Sequence, residues 1–546
     1  MQPLSPSLVL AETRSGLASR IALFCLVSVG WNGYVFGQAD HGIHLVFVDR
    51  LLRPERWAGD FLEQAAAHHP SLIWWLEAAT SSVLGMPLAF ALLHGVTLVA
   101  TGAAIERLVR SLGGTSHAAL AALLVLAPAQ FALGGVATLA PLFLPRGAAL
   151  PLELVALAWS IENRWRAAFG LLGLAACLHA PSAAGLAVAC CTALIGSVRL
   201  KASAQLFSPS FFFLGATPVL ILWAAGTSDG SITARVDPTW MKLIDLRLGH
   251  HVNPRSWPLI EWIQMAGWMA LGALAAWAAA WPPHGLRRVV LMSSGLIVWA
   301  VVGGTFLARG VGLALLLQLE PWECFRFVTI LASCVIGLAA SLMPTRGLVV
   351  VLATSILVSY ATLGHSPRWE PTGPHDSATE FVEKIAEELP PESIIAWPPG
   401  GLESVRWKAG IAGTPTWKDG GEGLFDRALA MRWLESMQVL CGSEPLSLVG
   451  IDKPRDSEAG LAELRKQLRH GWESRTASEL AQAATDLGAS HYVISGAQLH
   501  HSSPQPAGQE AGEVNTPNIL FEVKDWALAV LDPSIEPAFD EAADGP

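Results

Sequence analysis

Charged residues are scarce in this chain. Asp, Glu, Lys and Arg make up only 15% of the 546 residues, while 52% are hydrophobic. Soluble globular domains usually carry about 25% charged residues, so an ordinary soluble fold is excluded. Tyrosine is also rare, with 3 residues against 22 tryptophans, and tryptophan is typical of membrane–water interfaces. Most acidic residues follow Gly364, which indicates a membrane part and then a water-exposed part.

Cysteine is nearly absent from the last third of the chain. Only Cys441 lies there, so this part cannot contain an internal disulfide. The glycine pairs at 400–401 and 420–421 lack phosphate-loop spacing, which argues against nucleotide binding. No Ser/His/Asp arrangement stands out. The remaining cysteines lie in or beside apolar runs: Cys25, Cys177, Cys190, Cys191, Cys324 and Cys334.

Apolar runs dominate the first 363 residues. A helix crosses the hydrocarbon with about 20 mainly apolar residues, which predicts about eleven spans. Residues 71–84 (SLIWWLEAATSSVL) are interrupted by Glu77 and predict a helix at the interface, and the sequence around Glu320 could be re-entrant. The predicted spans are 18–36, 85–104, 117–135, 147–161, 167–180, 183–197, 209–226, 257–281, 288–307, 322–343 and 346–363.

Lysine and arginine predict the orientation, because short cytoplasmic loops retain them. With the N-terminus inside, every second loop carries arginine, and the loops 37–70 and 227–256 face outside. No clear cleavage site follows the first span, so we predict that it stays as an anchor. The Ala-, Gly- and Trp-rich composition is typical of a GC-rich bacterium. The prediction is a multi-pass protein of the bacterial cytoplasmic membrane.

A second domain follows the membrane domain (1–363). Residues 376–389 and 479–488 show helical periodicity, and each is followed by a buried strand, at 393–397 and 491–495. Residues 518–532 predict two final strands joined at Lys524-Asp525. Helices that alternate with strands predict an extracytoplasmic α/β domain over 364–532. The polar segment 500–515 predicts a flexible loop, and residues 533–546 predict a disordered tail.

The most unusual stretch is GQADHGIHLVFVDR at 37–50, directly after the first apolar run. If it is helical, Asp40 and His44 share a face, as do His41 and His44. Such a face could bind a divalent cation or pass a proton, although no second motif has zinc-like spacing, and the alternative is a solvated loop.

Several motifs resemble those of one family. They are GQADHGIH (37–44), RLLRPERWAGDF (50–61), HPSLIWW (69–75), LPRGAALPL (144–152), LHAPSAAGL (178–186) and RLGHHVNPRSW (247–257). Together they resemble uncharacterised bacterial members of the GT-C superfamily of polyprenyl-phosphate-sugar-dependent glycosyltransferases. The resemblance covers nearly the whole chain and is specific in the first loop. It implies that Asp40 acts as base or orients the acceptor. Many members have adjacent acids there, whereas this chain has Asp40-His41.

Attack on a sugar carried by a lipid phosphate needs a base and cations for the leaving phosphate. We assign Asp40 as the base and Asp49 as a second acid. An arginine in the membrane is costly, so Arg326 is either functional or paired with Glu320 or Glu323. Trp397, Trp407 and Trp417 either bind a sugar or pack the outside domain onto the membrane surface. The predicted substrate-binding residues are His41, His44, Arg247, His250, His251 and Arg326.

The sequence therefore predicts a membrane enzyme that transfers a sugar from a polyprenyl-phosphate donor to a glycan, lipid or protein acceptor. The alternative is a noncatalytic transporter or scaffold subunit whose outside domain binds a partner. A transporter usually has broken or ionisable spans in matched halves, and no repeat is visible here. A scaffold would tolerate the loss of Asp40, and an enzyme would not.

Overall fold

A computed structural model describes most of the chain. Three predicted features lie wholly or almost wholly outside the described residues: the last span (346–363), the flexible loop (500–515) and the tail (533–546). The described residues are 14–130, 132–197, 203–226, 234–278, 283–341, 349, 353, 368–373, 376–402, 405–442, 457–501 and 518–531.

The first part of the chain is a bundle of apolar helices, and every predicted span from 18–36 to 322–343 contains one of them. Pro238–Val252 lies between two of the spans. The span helices are Arg14–Asn32, Met86–Ser111, Ser116–Leu126, Pro145–Ile161, Trp165–Ala176, Ala180–Ser197, Ser210–Gly226, Leu259–Ala278, Pro283–Val298 with its π-helical continuation Trp299–Gly310, and Phe325–Ala340.

In the part of the chain that the structure describes, six helices are long and apolar enough to cross a membrane, and the chain is a polytopic helical membrane protein. The helix predicted over 117–135 is shorter than expected, because it ends at Leu126. The helix ends there because Pro128, two residues later, cannot donate the backbone hydrogen bond that would continue it. The six long helices are Met86–Ser111, Ala180–Ser197, Gln205–Ala225, Leu259–Trp277, Gly285–Gly310 and Ala314–Ala340.

One end of the bundle collects the arginine-rich loops. Arg20 pairs with Glu106 at 2.9 Å, and Arg107 pairs with Glu162 at 2.7 Å. Arg287 donates to the carbonyl oxygen of residue 196 at 2.7 Å. These loops are the ones that the charge pattern assigns to a single side, so their common location agrees with the predicted alternation.

The opposite end, called the outer end below after the predicted orientation, carries the predicted first outer loop (37–70), which is largely helical. Helix His41–Leu52 is followed by a 3₁₀ turn and then by helix Phe61–Ala67. Asp60 begins the second helix, because its side chain accepts a hydrogen bond from the backbone of Leu62 at 2.7 Å. Helix Ile73–Leu84 corresponds to the predicted interfacial segment.

The C-terminal domain, which the sequence predicts to lie outside and which is called the outside domain below, is an α/β fold. Strands β3 (Ile395–Ala396), β4 (His491–Ser495), β5 (Asn518–Val523) and β6 (Trp526–Val530) form a sheet in the order β3-β4-β6-β5. β3 and β4 are parallel, and the other two pairs are antiparallel. The predicted strands are therefore present. The helices of this domain are Ser377–Glu388, Arg427–Cys441, Ser457–Glu473, Ala477–Asp486 and Gly496–His501.

The outside domain docks directly on the outer end of the bundle. β1 (Gly33–Val35), at the end of the first helix, pairs in parallel with β2 (Arg368–Glu370). Asp60 accepts a hydrogen bond from the backbone of Gly413 at 2.9 Å, and the indole of Trp240 donates to the carbonyl of Gly423 at 2.6 Å. These contacts place residues 413–423 above the bundle.

Candidate active site

A cavity of about 210 Å³ lies between the outer end of the bundle and the outside domain. Its walls come from the first outer loop, the start of helix Pro145–Ile161, helix Pro238–Val252, the segment near residue 320 and the 3₁₀ helix Lys418–Leu424. Its charged and titratable lining residues are Asp40, His44, His69, Arg146, His179, Arg247, His250, His251, Glu320, Glu323, Lys418 and Glu422.

Asp40 is held at the mouth of helix His41–Leu52. The backbone turns left-handed at Ala39, where φ is 48°, and the carbonyl of Asp40 accepts from the backbone of His44 at 3.0 Å. The Asp40 side chain makes no capping bond. It is 42% exposed and lines the cavity. The helix therefore fixes the main chain and leaves the carboxylate available.

Two cations face the Asp40 carboxylate. Nζ of Lys418 lies 3.0 Å from Oδ1, and Nη2 of Arg146 lies 4.0 Å from Oδ2. Lys418 is the main cause that holds the pKa of Asp40 well below its usual range, and Arg146 acts in the same direction. Asp40 is therefore ionised, and the pair joins the bundle to the outside domain.

The position of Lys418 is set by a buried ion pair beside it. Asp419 pairs with Arg406 at 2.9 Å, and both side chains are almost fully buried. Burial raises the pKa of Asp419 to about 6, although Arg406 opposes this shift. Arg247 stacks on the ring of Trp417 at 4.2 Å and donates to the carbonyl of Lys418 at 3.1 Å. Arg247 thus supports this segment from the membrane side.

Histidines supply the neutral polar groups of the cavity. The rings of His250 and His251 are 3.9 Å apart, and Nδ1 of His251 hydrogen-bonds the carbonyl of Gly134 at 2.7 Å. Burial lowers the pKa of His250 to about 3, so it is neutral at pH 7. Among the described residues, Nδ1 of His250 and Nδ1 of His44 are buried without a hydrogen-bond partner. These nitrogens can bind a ligand that enters the cavity.

A polar chain runs from the cavity into the bundle. Arg146 lies 3.8 Å from Glu323, which lies 3.6 Å from Nδ1 of His179. The same His179 nitrogen is 2.8 Å from the Ser182 hydroxyl, and that hydroxyl donates to Glu153. This series of polar contacts holds Arg146 from the side of the bundle, while the Arg146 guanidinium faces Asp40.

Arg326 ends this polar chain and does not line the cavity. It is 1% exposed and pairs with Glu153 at 3.1 Å. The structure therefore favours the alternative that this intramembrane arginine is paired. Its partner is Glu153, however, rather than Glu320 or Glu323.

Asp49 and His41 also lie outside the cavity lining. Asp49 pairs with Arg53 and accepts from the indole of Trp57 at 2.9 Å. His41 is fully buried; one ring nitrogen accepts from the backbone of Gly37 at 3.1 Å, and the other bonds the carbonyl of residue 143 at 2.8 Å. Both side chains are thus engaged in contacts within the protein and away from the cavity. The cavity does include five predicted residues: Asp40, His44, Arg247, His250 and His251.

Sequence reasoning did not assign five charged groups of the cavity to substrate binding: Arg146, Glu320, Glu323, Lys418 and Glu422. Lys418 lies 378 residues from its partner Asp40, so no local pattern joins them. Glu320 has a left-handed backbone with φ of 39°, which is rare for a residue other than glycine. Its position before a proline, within an apolar run, was the available signal. Glu422 has no such signal.

The outer tryptophans pack rather than line a sugar site. Trp397 is fully buried, Trp417 stacks under Arg247, and Trp407 contacts the ring of Phe36 at 5.3 Å. Among the described residues, no group of three or more His, Cys, Asp or Glu has the geometry of a metal site.

Solved structures with a similar fold include two proteins. One is an oligosaccharyltransferase from Archaeoglobus fulgidus in complex with Zn and sulfate, with 12% identity, coverage of 88% of this chain and 68% of that chain, and a TM-score of 0.42. The other is ArnT from Cupriavidus metallidurans, bound to undecaprenyl phosphate (11% identity, TM-score 0.39) and in the apo state (11%, 0.36), each with coverage of 95% of this chain and 98% of that chain.

No family model and no curated protein matches the chain. At this level of similarity the structural matches transfer no reaction, substrate or residue to this chain.

Proposed function

We propose that this protein is a membrane glycosyltransferase that moves a sugar from a polyprenyl-phosphate donor to an acceptor at the outer face of the bacterial cytoplasmic membrane. One observation carries the proposal. The Asp40 carboxylate lies in a cavity at the outer end of an apolar bundle, between Lys418 and Arg146. A carboxylate between two cations can exchange places with a phosphate, which is the group that a polyprenyl carrier brings to this depth.

The exchange has a physical basis. Lysine and arginine bind phosphate oxygens through charge-assisted hydrogen bonds. A donor phosphate that takes Lys418 and Arg146 removes from Asp40 the two cations that now lower its pKa. The carboxylate then becomes more basic while the donor is bound. Asp40 is a weak base in the empty cavity and a stronger one when the sugar donor is present.

The transfer itself is a displacement at the anomeric carbon of the donor sugar. The acceptor O–H or N–H gives its proton to the Asp40 carboxylate, and the acceptor atom forms a bond to the anomeric carbon. The bond from that carbon to the phosphate oxygen breaks, and the electron pair leaves on the polyprenyl phosphate. Lys418 and Arg146 stabilise this leaving charge. Glu320 lies in the same cavity and can orient the acceptor.

The alternative is a noncatalytic transporter or scaffold subunit. One observation supports this alternative: the outside domain is bound to the bundle by many contacts, including the Arg427–Asp237 ion pair. A scaffold needs these contacts but does not need a carboxylate with an accessible side chain in a cavity. The two functions therefore differ in what the loss of Asp40 does.

The test uses lipid-linked and surface glycans extracted from cells and analysed by mass spectrometry. Cells carry the parent chain, Asp40→Asn, a deletion, or the control Asp245→Asn. Asp245 is a carboxylate in an ion pair with Arg309 at 2.6 Å, and it does not line the cavity. We expect a sugar-sized mass loss in the deletion and in Asp40→Asn but not in the control. A loss in the deletion alone would favour the scaffold.

A further inference from the structure

A second groove, of about 140 Å³, lies beside the first outer loop. Helix His41–Leu52, helix Phe61–Ala67, the start of helix Ile73–Leu84 and one residue of helix Ser210–Gly226 form its walls. The residues used below are Phe47, Arg50, Ala67, His69, Trp75 and Leu222.

Apolar side chains surround the mouth of this groove. Trp75 is 48% exposed, and the neighbouring Leu76 and Ile221 are 47% and 63% exposed. Leu222 belongs to the candidate membrane span Gln205–Ala225, of which only 17% is buried in the protein. Large exposed apolar residues on a spanning helix face lipid, and tryptophan is typical of the headgroup level. The groove therefore opens to the outer leaflet.

One cation of the groove, Arg50, has no carboxylate within ion-pair distance among the described residues, and the Glu63 carboxylate acts on it only at longer range. Arg50 donates through Nη1 to the carbonyl of Glu63 at 3.1 Å, and its Nε is buried without a hydrogen-bond partner. The Glu63 carboxylate is used elsewhere, since it accepts from the backbone of Gly59 at 2.9 Å. Among the described residues, Arg50 makes no ion pair. A buried guanidinium nitrogen left unsatisfied is costly, so an anion is expected there.

We propose that this groove binds a membrane phospholipid, with its phosphate on Arg50 and an acyl chain against Trp75 and Leu222. The planar guanidinium suits phosphate oxygens, and the lipid-facing mouth excludes a ligand without an apolar tail. The proposal stands without the proposed sugar transfer.

The groove also touches the candidate active site through a shared wall. His69 lines both spaces, and its Nδ1 lies 3.4 Å from Glu422, a residue of the segment that covers the cavity. Its ring packs on Phe425 at 4.5 Å. A lipid in the groove thus supports the histidine that contacts the roof of the cavity.

The test is native mass spectrometry of the purified full chain in detergent, titrated with palmitoyl-oleoyl phosphatidylglycerol. Arg50→Gln removes the charge, and Ala67→Trp fills the groove from an exposed position. Arg255→Gln is the control, because Arg255 is an exposed arginine that does not line the groove. We expect Arg50→Gln to lower the affinity at least about tenfold, the effect of losing one charge-assisted contact. We expect Ala67→Trp to lower it by a similar factor, because the indole occupies the space of the acyl chain. The control keeps parent affinity.

Two competitors complete the experiment. Palmitoyl-oleoyl glycerol has the same acyl chains and no phosphate, and inorganic phosphate has no chain. We expect that palmitoyl-oleoyl glycerol does not displace the phospholipid at equal concentration. We also expect that inorganic phosphate does not displace it at millimolar concentration. Parent-like affinity in Arg50→Gln, equal binding of the neutral lipid, or displacement by inorganic phosphate would each overturn the proposal.

Discussion

The buried pair between Arg326 and Glu153 allows a quantitative test of the structural role given to this arginine. The side chains are 1% and 0% exposed, and their charged atoms are 3.1 Å apart. Removing one partner of such a pair costs about 3–5 kcal/mol, because the other charge stays buried alone. Replacing both by apolar residues is often neutral or stabilising by about 1–4 kcal/mol. Arg326→Leu and Glu153→Leu should therefore each destabilise strongly, while the double variant should recover.

The assay is reversible unfolding of the purified protein in mild detergent, arranged as a double-mutant cycle. The Arg309–Asp245 pair is the control, since its side chains are 18% and 32% exposed and such pairs contribute about 1 kcal/mol or less. The structural role of Arg326 is contradicted if Arg326→Leu lowers the free energy of unfolding no more than Arg309→Leu does. It is also contradicted if the double variant loses as much free energy of unfolding as the two single variants together. Arg326 would then be available for a substrate after all.

Three further changes test local features by thermal unfolding. Gly37→Ala should destabilise more than the control Gly113→Ala, because both glycines are left-handed but only at Gly37 would the added Cβ meet a tryptophan, at 2.9 Å; equal losses would disprove the close contact. Trp240→Phe should cost about 1 kcal/mol, because it leaves the Gly423 carbonyl without its donor; an unchanged midpoint would contradict this. Because the folded-state pKa of Asp40 is lowered, the stability difference between parent and Asp40→Asn should be constant from about pH 5 to 8 and shrink as the pH falls below about 4; a change near pH 6 would refute the pairing.

Local patterns predicted the elements of the fold well. Apolar runs located the bundle helices, and alternation located the strands on either side of Lys524-Asp525. The span count was less accessible, because length and hydropathy select six long helices and cannot decide the short ones. Helix Ser116–Leu126 shows this limit, since proline ends it within the predicted span.

The candidate site was only partly predictable. Asp40 and His44 lie on one helix turn, so their shared face follows from periodicity. The pairing of Lys418 with Asp40 depends on the docking of a separate domain, which no local pattern encodes. The pairing of Asp49 with Arg53 was accessible from the sequence, because residues four apart share a helical face.

The most direct test of the exchange between carboxylate and phosphate compares three purified proteins: the parent, Asp40→Asn and Lys418→Met. The quantity measured is the affinity of each for undecaprenyl phosphate. Lys524→Met is the control, because Lys524 pairs with Glu380 at an exposed position. The account predicts that Asp40→Asn binds at least as tightly as the parent, since the competing carboxylate is gone, and that Lys418→Met binds at least about tenfold more weakly. Weaker binding by Asp40→Asn, or parent-like binding by Lys418→Met, would contradict it.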